Sequence, residues 1–452
     1  MSVLSGDVVR KNAPKSRKIR RTWPQRMVIV FNLGVAMACL GGALALNYGR
    51  DTVNSITRVK LTPGVLDPTG VADGTDATFI DSSGFSTAEN WLITGTDARS
   101  KDNCGISPDS PYAGAFGKDG IGDRSDTIMV MRIDPNTNFA AMLSFPRDLW
   151  VKIGGTKRSD RINAAFDPTN PERLIQTVKE NFNIPINHYA SIGFCGFKDL
   201  VDALGGVQIP FDRYVRDKNT GFATGIECKE LNGEAALAYA RSRHLQTSTD
   251  GKKWKEDGAS DWSRIRRQQD LIKRIGQKLA DAGIATNPGR LNAVVKAAVS
   301  NIDIEEGVAV KDLLKLATRM RNLDPATIRT FTVSGTGSVQ NGSSVIMYRK
   351  GNTNNENVFK VFRGEATPAD AKTAEELEAE STSSTGPSDT SASPGTTAAP
   401  TTTVRAGTTT TASGGDGATT TIAPDDVEVV EIDDVLAQQA NSFVPGDDPT
   451  CR

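Results

Sequence analysis

Histidine is nearly absent, with His188 and His244 alone in 452 residues, and no Cys-x-x-Cys pair occurs anywhere in the chain. Histidine-based metal catalysis and a tetrahedral zinc site therefore lack their ligands. A dinucleotide-binding glycine fingerprint, a P-loop, a Gly-x-Ser-x-Gly elbow and a His-Glu-x-x-His helix are also missing. Serine triads need a histidine base, and neither histidine sits in a recognisable frame. Net charge is close to absent as well, at −1, but the average hides a strong polarity. Residues 1–50 hold nine Lys/Arg against one Asp, whereas from Glu365 onward sixteen Asp/Glu face three Lys/Arg. A basic start, a mildly basic middle and an acidic end imply three parts with different surroundings.

What is present begins with Met27–Leu46, an apolar run of 20 residues without charge, broken only by Asn32. As a helix rising about 1.5 Å per residue, it is long enough to cross a bilayer core. Eight Lys/Arg between Arg10 and Arg26 precede it, and positive flanks stay in the cytoplasm. The expectation is a single-pass membrane protein with a cytoplasmic tail over 1–26 and a transmembrane anchor over 27–48. Everything beyond would be extracytoplasmic, which disfavours a nucleic-acid partner. A cleaved signal peptide is the alternative, with Ala43-Leu44-Ala45 as a small-x-small site, although the run exceeds the usual ~7–15 residue apolar region. Cys39 lies in the run, leaving Cys104, Cys195, Cys228 and Cys451 where disulfides are permitted.

Residues 49–88 are rich in Gly, Asp, Thr and Ser and are expected as a stalk. Short apolar runs then predict strands at Trp91–Gly95, Thr127–Ile133, Ala140–Phe145 and Leu149–Ile153, with more at Tyr189–Gly193, Val207–Pro210 and Ile328–Val333. Helical periodicity marks Pro171–Phe182, Phe197–Leu204, Gly233–Tyr239, Trp262–Ala282, Leu291–Ser300 and Lys311–Asn322. Interleaved strands and helices predict one α/β domain, an α-β-α arrangement over 89–364 with a mixed central sheet. Over 365–452 the chain is acidic, with a Thr/Ser/Pro-rich tract around 381–423 too poor in apolar residues to offset its ordering entropy. That tail is expected to be disordered, with a short docking segment near Val429, Val430, Ile432, Val435 and Leu436.

Acids and arginines at element ends remain as candidates for chemistry. Asp97 follows one predicted strand and Asp126 begins the next, so antiparallel pairing would bring the two carboxylates together. Close carboxylates repel unless a cation lies between them, and hard oxygen ligands suit Mg²⁺; separate turn capping is the alternative. Arg241 and Arg243 share a face only if the backbone between them is extended. Arg264, Arg267 and Gln268 share a face in the first turns of a helix that Ser260 or Asp261 can cap. Guanidinium forks at a helix start suit a phosphate or diphosphate, while a solvated basic face balanced by Asp257, Asp261 and Asp270 explains the same residues. Arg147 follows an apolar strand, a common ligand position in α/β folds, and a surface pair with Asp148 is the alternative.

Seven stretches in order, LITGTDAR (Leu92–Arg99), RSDT (Arg124–Thr127), LSFPRD (Leu143–Asp148), RINAAF (Arg161–Phe166), LVDALGGV (Leu200–Val207), LNGEAALAYARSRH (Leu231–His244) and DWSRIRRQ (Asp261–Gln268), resemble the LytR-CpsA-Psr family of bacterial cell-wall proteins. The resemblance implies a phosphotransferase that moves a glycopolymer from a polyprenyl-pyrophosphate carrier onto peptidoglycan through a phosphodiester, usually with Mg²⁺. It matches Asp97 and Asp126 to the magnesium-associated acids, Arg147, Arg241, Arg243, Arg264 and Gln268 to the pyrophosphate-binding set, and casts Arg147 and Asp126 as catalytic. A pyrophosphatase using the same residues and a non-catalytic wall-binding or regulatory protein are the competing functions. The polar stretch Leu245–Ser260 is longer than in the shortest relatives, and no general base is evident. A disulfide between Cys195 and Cys228 is expected within the matched region, with two free thiols as the alternative and Cys104–Cys451 as a second pairing.

Overall fold

The computed structural model describes residues 57–67, 88–97, 103–116, 125–134, 137–281, 302–308 and 327–368, with short pieces at 428–430, 442–446 and 450–451 and isolated positions including 294, 323 and 432. Met27–Leu46, the helices expected at Leu291–Ser300 and Lys311–Asn322, and the Thr/Ser/Pro-rich tract lie outside these residues, residue 294 apart. Among the described residues no helix is long and apolar enough to cross a membrane.

A seven-stranded sheet organises the domain. Its strands are β1 (Thr57–Val59), β2 (Glu89–Thr96), β3 (Ser125–Asp134), β4 (Phe139–Phe145), β5 (His188–Gly193), β6 (Ile302–Glu305) and β7 (Arg329–Thr332), in the spatial order β1-β6-β5-β2-β3-β4-β7. The β2–β3, β3–β4 and β5–β6 pairs are antiparallel, whereas β1–β6, β2–β5 and β4–β7 are parallel. The sheet is therefore mixed, as the sequence predicts. Within the segment expected as a stalk, Thr57–Val59 forms an edge strand and Val65 packs into the core.

Both faces of the sheet are covered, which is why its strands read as continuous apolar runs instead of alternating with polar residues. On one face Leu92, Ile128, Val130, Ala141, Leu143 and Phe145 pack against helices α1 (Glu172–Phe182) and, near the C-terminal side, Thr353–Arg363. On the other, Met129, Met131 and Met142 meet Ile272 of the long helix Ser260–Asp281. Between these in sequence come α2 (Phe194–Ala203) and α3 (Gly233–Arg241), so the long helix is α4 and Thr353–Arg363 is α5. Helices α2, α3 and α4 share a second core with Phe116, Ile209, Phe211, Phe222 and Tyr239. Helix α5 is absent from the sequence expectations although Val358, Phe359, Val361 and Phe362 form one buried face; Asn352 caps it by accepting the Asn355 amide at 2.9 Å, and Gly364 closes it at φ 77°.

The expected Cys195–Cys228 bond does not form. Cys104 bonds Cys195 and Cys228 bonds Cys451, with Cα separations of 5.1 and 5.5 Å. The alternative Cys104–Cys451 pairing is overturned by the same two bonds. A disulfide requires Cα atoms about 4.4–6.8 Å apart, and sequence spacing says nothing about that distance. Cys195 opens α2 beside the turn Asn103–Gly105, whereas Cys228 sits on the strand Glu227–Leu231, which pairs with Val207–Phe211.

Candidate active site

The site forms where β2 and β3 end. Gly95 pairs with Thr127 and Thr96 with Ser125, which leaves Asp126 as the extra residue of a β-bulge. Such bulges re-aim a side chain next to functional sites. Ser125 holds this one by donating its hydroxyl to the carbonyls of Gly95 (3.1 Å) and Thr127 (2.7 Å). Gly95 is required there, because a Cβ would lie 2.9 Å from that of Thr127. Asp97 follows Thr96 immediately, so the antiparallel pairing places both acids at one end of the sheet, as the sequence reading anticipates.

Three arginines from three different segments converge on Asp126. Arg147, after β4, donates from Nη1 to Oδ1 at 2.7 Å. Arg264, on the first turn of α4, places Nη1 3.6 Å from Oδ2 and donates from Nη2 to the Asp126 carbonyl at 3.1 Å. Arg241, the last residue of α3, brings Nη2 to 4.0 Å. It is steadied by a hydrogen bond to the Ala115 carbonyl and by the Phe194 ring, 4.2 Å below its guanidinium. After Arg241 the chain leaves the helix through an extended Ser242 (φ −59°, ψ 122°), the condition that lets two arginines spaced by one residue serve one site. Arg243 then pairs with Asp261 at 3.2 Å, and Arg264 grips the same carboxylate at 2.9 Å. Asp261 is thus an arginine partner, while Asp257 upstream accepts the Ala259 amide before α4.

Gln268 lies one turn beyond Arg264 and donates to the Ala240 carbonyl at 3.3 Å, buttressing the end of α3. Arg267 does not join the cluster. It is fully buried, pairs with Asp257 at 3.1 Å and donates to the Ser242 carbonyl. Two contributors escaped the sequence reading. Arg161 ion-pairs with Asp148, which also faces Arg147; its signal was the RINAAF stretch. Asp217, 1% exposed, accepts the amides of Arg243 (3.1 Å) and His244 (3.0 Å) and so orients the arginine-bearing turn. No sequence signal marks it.

Five guanidiniums, of Arg147, Arg161, Arg241, Arg243 and Arg264, thus face three carboxylates, of Asp126, Asp148 and Asp261. Across these ion pairs the arginines outnumber the acids by two, and Asp97 at the same end of the sheet reduces the excess to one positive charge among the described residues. Burial favours a neutral Asp126, but Arg264, Arg147 and Arg241 outweigh it and hold the carboxyl below its ordinary range. Arg243 is pushed below the usual arginine value, first by burial and further by Arg147 and Arg264, although Asp261 and Asp126 oppose them. The Nε of Arg264 is buried without a hydrogen-bond acceptor, whereas those of Arg147 and Arg243 face Asp148 at 3.5 Å and Asp261 at 3.2 Å without hydrogen-bond alignment. Clustered guanidiniums with surplus positive charge make an anion site. Among the described residues no group of three or more His, Cys, Asp or Glu could hold a metal ion. Beside Asp126, whose Oδ1 faces Arg147 and whose Oδ2 faces Arg241 and Arg264, Asp97 is a further carboxylate at this end of the sheet.

The profile of the LytR_cpsA_psr family matches residues 72–360. A probable cell wall biosynthesis protein LcpB from Corynebacterium glutamicum is 34% identical over 247 residues, covering 54% of this chain and 55% of its own length. The polyisoprenyl-teichoic acid–peptidoglycan teichoic acid transferase TagV of Bacillus subtilis is 29% identical over 252 residues, 53% of this chain and 59% of its own. The chain therefore spans less than two thirds of the length of these curated relatives. Among solved structures, a LytR-Csp2A-Psr enzyme from Actinomyces oris aligns with a TM-score of 0.49 at 20% identity, covering 68% of this chain and 96% of that one.

Proposed function

The chain belongs to the LytR_cpsA_psr family, and from that premise we propose that it is a phosphotransferase moving a glycopolymer from a polyprenyl-pyrophosphate carrier to peptidoglycan. The observation that carries this reading is the convergence of Arg147, Arg241 and Arg264 on Asp126, with Arg243 and Arg264 sharing Asp261, a net positive cluster of guanidiniums from separate segments. A pyrophosphate esterified at both ends carries two negative charges, the sign that such a cluster attracts. The guanidinium fork of each arginine can grip paired phosphate oxygens.

Attack on the glycopolymer-side phosphorus forms the new phosphodiester bond and breaks the pyrophosphate bridge. The electron pair of that bridge leaves with the polyprenyl phosphate, which takes up, directly or through water, the proton lost by the acceptor hydroxyl. Arg147, Arg241, Arg243 and Arg264 would stabilise the charge gathering on the non-bridging and leaving oxygens, the main work in phosphoryl transfer. Asp126 holds three of these groups in register before substrate arrives. With its carboxyl below the usual range, Asp126 is a weak proton acceptor, so its part is in holding the arginines and in metal binding. Magnesium, held by Asp97, Asp126 and substrate phosphates, would add Lewis-acid polarisation of a phosphoryl oxygen. Two disulfides support placement of this domain outside the cytoplasm, in keeping with a single-pass anchor at Met27–Leu46.

The test is incubation of the purified domain with a polyprenyl-pyrophosphate-linked oligosaccharide, Mg²⁺ and peptidoglycan fragments. Transfer predicts a phosphodiester-linked product by mass spectrometry that depends on the acceptor. Release of the glycan phosphate to water at the same rate with and without acceptor would assign a pyrophosphatase instead. Absence of any reaction and of lipid-pyrophosphate binding would leave a non-catalytic protein.

A further inference from the structure

The far C-terminal residues return to the helix that carries the arginines. Glu428–Val430 pairs in parallel with Ala366–Pro368, and Ser442–Gly446 then lies along α4. The Phe443 amide donates to Oδ2 of Asp257 at 3.2 Å, and Arg267 Nη1 donates to the Phe443 carbonyl at 3.4 Å. Arg274 donates to the Gly446 carbonyl at 3.0 Å, and the guanidinium of Arg213 covers the Phe443 ring at 5.0 Å. This is a docked strap, with Cys451 just beyond it bonded to Cys228.

The strap meets a buried network that ends at the anion site. Asp257 has both oxygens in use. Oδ1 accepts from the Ala259 amide and the Ser263 hydroxyl, and Oδ2 accepts from Arg267 and the Phe443 amide. Arg267, 0% exposed, spans from Asp257 to the carbonyl of Ser242, the one residue between Arg241 and Arg243. Ser242 also donates its hydroxyl to the Ala238 carbonyl at 2.9 Å. The extended conformation at Ser242 is thus held from behind by a guanidinium whose counter-ion is in turn completed by the strap.

We propose that Arg267 and Asp257 are positioning residues of the anion site, and that the Ser442–Gly446 strap completes them and so sets the spacing of Arg241 and Arg243. The inference rests on the functional reading above for its ligand. A planar fork is needed at 267, because two acceptors lie on different elements and an ammonium on a single stem cannot reach both in fixed geometry. Without the Phe443 amide, Asp257 has an acceptor position unfilled in a buried place, and the network loosens where it holds Ser242.

Inorganic pyrophosphate is the probe, measured by calorimetry on the whole extracytoplasmic chain, with thermal unfolding recorded in parallel. Arg267→Lys and a chain ending at Ala440 should each bind pyrophosphate at least tenfold more weakly than the parent, at temperatures where both remain folded. A purely structural role would lower the unfolding temperature and leave the affinity of the folded chain unchanged. Replacing residues 372–424 by a flexible linker of about twelve residues, enough for a parallel crossover, should leave binding intact, since the strap is kept. Should Arg267→Lys not fold, the truncated chain and Asp257→Asn carry the comparison. Parent-like affinity in the folded variants overturns the positioning role and leaves the functional reading standing. A parent chain that does not bind pyrophosphate removes that reading and this inference with it.

Discussion

Substituting Arg264 by lysine separates a built anion site from generic basicity. Arg264 is 2% exposed and makes three contacts: to Oδ2 of Asp126, to the Asp126 carbonyl and to the Asp261 carboxylate. A lysine retains the charge and can satisfy one of them. A hydrogen bond to a charged group contributes about 1.5–3 kcal/mol, and each ~1.4 kcal/mol is tenfold in rate. Loss of even one contact that tightens on the transferring phosphate should therefore slow transfer roughly tenfold to a hundredfold. The assay is initial-rate transfer from a lipid-pyrophosphate donor to peptidoglycan fragments, with unfolding followed so that only folded enzyme is compared. The double variant with Arg243→Lys should fall short of the product of the single effects, because both guanidiniums grip Asp261 and would grip one ligand. Transfer by Arg264→Lys within about twofold of the parent would refute the clamp and return these residues to a solvated basic face.

Asp126→Asn leaves three guanidiniums facing one another. We expect a loss of about 2–3 kcal/mol, below the ~3–5 kcal/mol for a fully buried pair because the side chain is 25% exposed. Its folded carboxyl is held below the ordinary 3.8, so its stabilisation is present above that value and is lost as pH falls through the depressed one. Denaturant titrations of parent and variant should therefore converge in acid, and a difference that persists there argues against the assignment. His188, wedged between Glu89 (3.2 Å) and Glu305 (2.7 Å), has its pKa raised from 6.5 to about 9. The stability it contributes, on the order of 3 kcal/mol, should be fully present below pH 6.5 and vanish as pH rises through about 9; an NMR titration placing the ring near its ordinary value would contradict this. Non-reducing peptide mapping should recover Cys104 with Cys195 and Cys228 with Cys451, each loop contributing about 4–5 kcal/mol on chain-entropy grounds. Chelation of Mg²⁺ should abolish transfer and spare the fold, whereas unchanged rates would remove the metal from the mechanism.

Local pattern carried a good part of this molecule. The apolar runs at Trp91–Gly95, Thr127–Ile133 and Ala140–Phe145 became the centre of the sheet because strands buried on both faces need apolar residues at every position. Trp262–Ala282 shows its helical period in the sequence and corresponds to α4, Ser260–Asp281, and an antiparallel β2–β3 pair sufficed to bring Asp97 and Asp126 to one end of the sheet. Other features depend on contacts that no local window contains. Arg264 and Arg267 are three residues apart and were expected to share a face, yet Arg264 turns to Asp126, 138 residues away, and Arg267 to Asp257 and Ser242. Which way each turns depends on where the buried carboxylates lie after packing. The bulge at Asp126 comes from a slip in pairing between two strands, and neither strand alone encodes it. Disulfide partners and the docked C-terminal strap follow the same rule: cysteines 91 and 223 positions apart bond because the packed elements bring their Cα atoms to 5.1 and 5.5 Å. The sequence by itself determined the central strands and the long helix α4, because those depend on short-range periodicity, whereas the strands Thr57–Val59 and Ile302–Glu305 and helix α5 became evident only in the packed structure. The tertiary structure alone decided which charges meet, because that depends on the distances left after the apolar surfaces have been buried.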